Sequence, residues 1–113
     1  MIKLYGIPNC NKIRNTIGLL DRMKVTYEFV NVKKTPIGPD KLRKAVASLG
    51  IDNLFNTKGT TYRRLNLDYH KMSPEEKFEI LLKEQSMIRR PLIETRDRFH
   101  VGYDERAIQS FIG

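Results

Sequence analysis

A single cysteine stands in 113 residues, and its neighbours are of the kind that activate a thiol. Cys10 lies within Gly6-Ile7-Pro8-Asn9-Cys10-Asn11-Lys12-Ile13-Arg14-Asn15-Thr16. A short apolar run at 2–5 leads into this stretch, and a segment of helical periodicity leaves it. Cys10 is therefore expected where a strand ends, a loop turns and a helix begins. The first backbone N–H groups of a helix lack intrahelical partners, and the helix dipole is positive there. A thiolate at that point is stabilised and its pKa falls. Lys12 and Arg14 add positive charge close by. The local pattern also admits a second reading, in which Cys10 is a small buried apolar residue, as free cysteines often are.

The elements that position this stretch follow from periodicity. Residues 2–5 read as a strand, and 11–23 as a helix with Ile13, Ile17 and Leu20 on one face. Residues 25–32, rich in β-branched and aromatic side chains, read as a second strand. Thr35-Pro36-Ile37-Gly38-Pro39 is punctuation. Pro39 suits a first helical position and Asp40 a first turn; that helix runs to about 49 with Leu42, Ala45, Val46 and Leu49 inward, and Gly50 ends it. Ile51, Leu54 and Phe55 form a short apolar anchor. Residues 56–65 are polar and basic, and read as a loop or a loop with one helical turn. Ser73-Pro74-Glu75-Glu76 is a helix start with a capping box, and that helix runs to about 83 with Phe78, Leu81 and Leu82 inward. Residues 92–95 and 98–102 read as a hairpin around Arg96-Asp97, and Asp104 caps a last helix. The order is β-α-β, a helical stretch, then β-β-α. The first unit needs a right-handed crossover between parallel strands, the last an antiparallel hairpin. The expected fold is α/β and thioredoxin-like: a mixed four-stranded sheet with an all-helical insertion at about 36–88, one domain over 1–113.

Composition narrows the setting. One cysteine makes no internal disulfide, which fits a reducing compartment. No run of eighteen apolar residues and no signal-type segment is present, so a soluble, cytoplasmic protein is expected, with no membrane partner. The net charge of +8 favours anionic partners. The basic residues come as scattered pairs, Lys33-Lys34, Arg43-Lys44, Arg63-Arg64 and Arg89-Arg90, without interleaved aromatics, so nucleic acid is not the expected ligand. His70 and His100 have no ligating companions, and no metal site is expected.

The motifs, taken together, resemble those of the arsenate reductase-like family. Cys10, three intervening residues and Arg14-Asn15-Thr16 resemble its nucleophile loop, and Arg90-Pro91-Leu92-Ile93 its Arg-Pro segment at a later strand. The stretch from Asn56 to Leu65, and Val101-Gly102-Tyr103, are similar to segments of the branch that holds the small YffB-like proteins and the Spx-type regulators. The resemblance implies that Cys10 is the attacking thiol and that Pro91 is a cis-proline beside it. Arg90 would add a charge-assisted grip on an oxyanion or carboxylate. Asn9, Asn11, Lys12, Arg14, Lys58 and Pro91 are the implied substrate contacts. The implied activity is a glutathione-dependent thiol reductase with no tightly bound cofactor, glutathione as co-substrate and glutaredoxin as a further partner. The alternatives are an arsenate reductase with the same reductants and an Spx-like regulator that binds RNA polymerase.

The departures from the family discriminate among these. Arsenate reductases of the family hold the oxyanion with three arginines, of which only Arg90 matches; Asn56 and Gly102-Tyr103 stand at the other places. Gly6 replaces a histidine, and Ile13 stands where Spx-type regulators carry the second cysteine of a redox pair. The chain also ends soon after its last helix, leaving little for a regulator's tail. A one-cysteine nucleophile that needs an external thiol is the expectation.

Overall fold

Period-two alternation along short apolar strands builds the sheet. The computed structural model describes all 113 residues. In β1 (Ile2–Gly6), Ile2 and Leu4 point to one side and Tyr5 to the other. β2 (Tyr27–Asn31) runs parallel to β1, with Tyr5 opposite Val30. β3 (Leu92–Thr95) is antiparallel on the other side of β1, with Tyr5 opposite Leu92 and Lys3 opposite Glu94. β4 (Arg98–Val101) completes the order β2-β1-β3-β4. This is the mixed four-stranded sheet expected of a thioredoxin-like chain. Arg96 and Asp97 take φ of 52° and 60°, the left-handed pair that a two-residue type I′ hairpin requires.

One face of the sheet is covered by α1 (Asn11–Arg22) and α6 (Glu105–Ile112). Ile13, Leu19, Leu20 and Ile108 pack there against Ile2, Leu4 and Ile93. The stripe on α1 is wider than its spacing implies, because Thr16 is also fully buried. Its hydroxyl is satisfied by donating to the Lys12 carbonyl at 2.7 Å. Asp104 caps α6 by accepting from the Ala107 N–H. The second strand begins two residues later than its composition suggests. Lys24, at φ 58°, closes α1: its N–H donates to Asp21 and that of Val25 to Leu20. This is a Schellman closure, and it holds 23–25 out of the sheet.

The other face is covered by α2 (Pro39–Leu49), α3 (Ile51–Leu54), α4 (Thr60–Leu65) and α5 (Pro74–Lys83). A 3-10 turn at Tyr69–Lys71 joins α4 to α5, and a second at Gln85–Met87 leads from α5 toward β3. Leu42, Ala45, Leu54, Phe55, Phe78, Leu81 and Met87 meet Tyr5, Leu92 and Phe99 of the sheet. Ser73 makes its reciprocal capping box with Glu76. Where a loop or single turn was expected, Thr60–Leu65 is a six-residue helix. Tyr62 holds it by an edge contact with the Phe55 ring, and Thr61 by a 2.9 Å bond to Ser86. The ends of the helical segment are tied together by Gln85, which accepts from the Ile37 N–H at 2.7 Å and donates to its carbonyl at 2.8 Å. No helix is long and apolar enough to cross a membrane.

Glu94 is the one carboxylate of the sheet's interior, 6% exposed. The Tyr5 hydroxyl donates to one of its oxygens at 2.6 Å, and Lys41 of α2 pairs with the other. Burial pushes the Glu94 carboxyl up, but Lys41, Tyr5 and Lys3 outweigh it and hold the pKa below the usual range. Burial and the adjacent Glu94 together push the Tyr5 phenol well above its ordinary value. A carboxyl lowered in the folded state contributes stability above its unfolded pKa, about 4.3, and loses it as pH falls through the folded value. Lys41→Met is expected to cost about 1–3 kcal/mol at pH 7 by urea denaturation, from one lost bond to a buried charge. The gap from the parent protein should narrow as pH falls through the carboxylate range, and close only below the lowered Glu94 value, where Glu94 is protonated in the parent too.

Candidate active site

β1 brings the chain to the site, residues 7–9 turn it, and Cys10 becomes the N-cap of α1. The turn is made possible by Asn9 at φ 65°, a left-handed conformation that asparagine adopts more readily than most residues. Cys10 itself is extended, with φ −105° and ψ 131°. It occupies the position at which a Ser, Asp or Asn oxygen usually accepts from the first turn. The neutral thiol makes no full capping bond. The first-turn N–H groups of Lys12 and Ile13, and Arg90 at the start of β3, nevertheless favour the anion there. Arg90 is aimed by its own bond to the Ser86 carbonyl, 2.9 Å from Nη1. Burial pushes the half-buried Cys10 thiol up; the Ile13 N–H, the Arg90 guanidinium and the Lys12 N–H pull it down. The balance lies below the ordinary thiol value. Hydrogen bonds to the anion win over desolvation.

The sulfur opens on a cavity of about 230 Å³ lined by Cys10, Asn11, Lys12, Asn56, Arg89 and Arg90. Asn56 and Arg89 arrive together. The Asn56 N–H donates to Met87, the Arg89 N–H donates to Leu54, and Phe55 bridges Ile88. This short antiparallel contact lays the helical segment across the chain just before β3.

The sequence-derived candidates separate in the fold. Cys10, Asn11, Lys12 and Arg90 share the cavity. Pro91 is buried behind it, joined to Arg90 by a cis peptide bond, with its carbonyl accepting from Gly102. Asn9 is exposed and shapes the loop through its backbone. Arg14 was expected to add charge at the sulfur; instead its guanidinium turns along the exposed face of α1 to the Asn11 side chain. Lys58 lies in an adjoining cavity. Arg63 bonds the Lys58 carbonyl and Arg64 pairs with Glu84, so neither lines the cavity at Cys10.

Arg89 is the residue that sequence reasoning missed. In the chain it is half of one scattered basic pair. In the fold its Nη2 lies 3.6 Å from where a Cβ on Gly102 would stand. The guanidinium thus lies alongside Gly102, one of the places where the resemblance leads one to look for an arginine. The departures at Gly6 and Ile13 are also coupled. A Cβ on Gly6 would fall 2.3 Å from the Ile13 Cδ1. Ile13 fills the space that a side chain at position 6 would need.

A parallel βαβ unit with a cysteine at its helix N-terminus, facing the start of an antiparallel strand, defines a thioredoxin-like α/β protein. The chain belongs to the ArsC family, whose model matches residues 5–111. A global transcriptional regulator Spx from Listeria innocua is 28% identical over 99% of this chain and 87% of its own. A YffB protein of known structure is 32% identical and superposes with a TM-score of 0.88 over 97% of each chain. An arsenate reductase from Vibrio cholerae, 20% identical, shares the fold with a TM-score of 0.83 over 96% of this chain and 95% of its own.

Ultraviolet titration is expected to show the Cys10 thiolate forming at lower pH than in an unstructured peptide. Arg90→Gln should move that transition up. It should also slow alkylation by iodoacetamide at pH 7 by about tenfold, the equivalent of one hydrogen bond to a charged group. Arg14→Gln should change neither.

Proposed function

We propose that the protein is a glutathione-dependent thiol oxidoreductase of the cytoplasm with Cys10 as its nucleophile. The observation that carries this reading is the place of Cys10: half-buried, at the N-cap of α1, and sharing one cavity with Lys12 and Arg90. The Cys10 thiolate attacks one sulfur of an oxidised substrate, and the S–S bond breaks. The other sulfur leaves as a thiolate and takes a proton from solvent. A glutathione thiolate then attacks the substrate sulfur held by Cys10, forming a glutathionyl disulfide while Cys10 departs as the anion, stabilised by the same donors. A second glutathione thiolate attacks that disulfide, releasing the reduced substrate and oxidised glutathione. The chain holds no second cysteine to do this, so the resolving thiol comes from outside. Glutaredoxin is the macromolecular alternative as reductant. In this scheme Cys10 and Arg90 are catalytic, while Asn11 and Lys12 contact the substrate.

Two guanidinium groups, not three, line the cavity, which favours a thiol or disulfide over arsenate. The likeness to Spx supports a second reading, a regulator that docks on RNA polymerase.

Oxidised glutathione should add one glutathionyl group by intact mass, and none to Cys10→Ser. Turnover of a model disulfide, coupled to glutathione reductase, should fall to background in the same variant. An ordinary thiol titration together with no adduct would overturn the proposal. Arsenate turnover above the Cys10→Ser background would favour the arsenate reading. Capture of purified RNA polymerase at low salt would favour the regulator.

A further inference from the structure

The cavity at Cys10 does not end the concave surface. A second one, of about 560 Å³, adjoins it and shares Lys12, Asn56 and Arg89 with it. Lys58, Thr57 and Asp52 line its far part. Small-molecule sites usually measure about 300–1,000 Å³, so the thiol cavity alone is undersized and its extension is not. The extension is electropositive in a specific way. None of the six ion pairs of the protein involves Lys12, Lys58, Arg89 or Arg90. The single carboxylate on the lining, Asp52, is already engaged by Lys77 at 3.1 Å and by the Tyr69 hydroxyl. Arg89 is held in place by a 3.2 Å bond to the Asn53 carbonyl. The Asn56 side chain accepts from the Lys58 N–H at 3.0 Å and fixes the turn that carries the lysine.

We propose that this trench binds the body of a thiol or disulfide substrate bearing at least two phosphate or carboxylate groups, one at Arg90 and the others along Lys12, Arg89 and Lys58. The proposal rests on Cys10 as the reacting group and adds the part of the substrate that stays unchanged. Like charges held together without counter-charges repel, and an anionic occupant relieves that repulsion. Arg89 and Lys58 are then the specificity-determining residues. They select extended anionic thiols over small neutral ones.

The test uses binding, so that it does not depend on the chemistry. Cys10→Ser protein is titrated calorimetrically with coenzyme A, with glutathione and with pantetheine, whose thiol arm matches that of coenzyme A but carries no phosphate. At least one of the two anionic thiols should bind about tenfold tighter than pantetheine. The tighter of the two identifies phosphate or carboxylate as the preferred group. Adding Arg89→Gln and Lys58→Gln should weaken the anionic ligand about tenfold or more. Lys58→Gln alone, at an exposed side chain, serves if the triple variant does not fold. Equal binding of pantetheine, or undiminished binding after the charges are removed, overturns the trench. Absence of a glutathione adduct on the unmodified protein overturns the nucleophile reading instead.

Discussion

The register between β1 and β3 is the constraint on which the rest depends. Leu4 faces Ile93, Tyr5 faces Leu92 and Lys3 faces Glu94. Side chains alternate along a strand, so this register alone places Leu4 and Ile93 under α1 and α6 and sends Tyr5 and Leu92 to the helical segment. A slip of one residue would drive Glu94 into the aliphatic layer around Leu4. It would also shift the start of β3 along β1 by about 3.3 Å and carry Arg90 away from Cys10. Glu94 guards against this slip, because only in the native register do its two oxygens meet the Tyr5 hydroxyl and Lys41. A buried ion pair adds little stability over an apolar substitute, but breaking it strands a buried charge.

The same alignment governs the electrostatics of the sulfur. An N-cap cysteine has the helix N–H groups in front of it by local geometry alone. That field competes with burial, which favours the neutral thiol. Arg90 adds to that field from the start of β3, at the same end of the sheet, steadied by the Ser86 carbonyl. Reactivity and fold are therefore not separable here. The strand pairing that completes the core also completes the donor set.

Two glycines near the site each lie against a second residue's side chain. Gly6 leaves room, and Ile13 occupies it from the first turn of α1. Gly102, at φ 95°, has the Arg89 guanidinium alongside it. Lys12, Arg89 and Arg90, the cations that line the cavity at Cys10, are in no ion pair with a carboxylate.

The sequence by itself determined the elements and their order, and with them the placing of Cys10 at a helix start. Those features are written in neighbours: apolar residues a turn apart, Pro39 and Ser73 at helix starts, Asp104 at a cap, Arg96-Asp97 at the hairpin. The resemblance supplied the distant Arg90-Pro91 segment as well. Only the tertiary structure decided that Arg89 and Asn56 join the thiol cavity, that Arg14 turns away from it, that Lys58 lies in the next one, and that Glu94 locks Tyr5 to Lys41. The late start of β2 and the folding of 60–65 into α4 belong with these, since a chain closure and packing against Phe55 and Ser86 overrode the local pattern. The reason is range. Periodicity and capping act within one turn or one strand, whereas the direction of a long side chain such as arginine is chosen by carbonyls and carboxylates that come near only when the whole chain has packed.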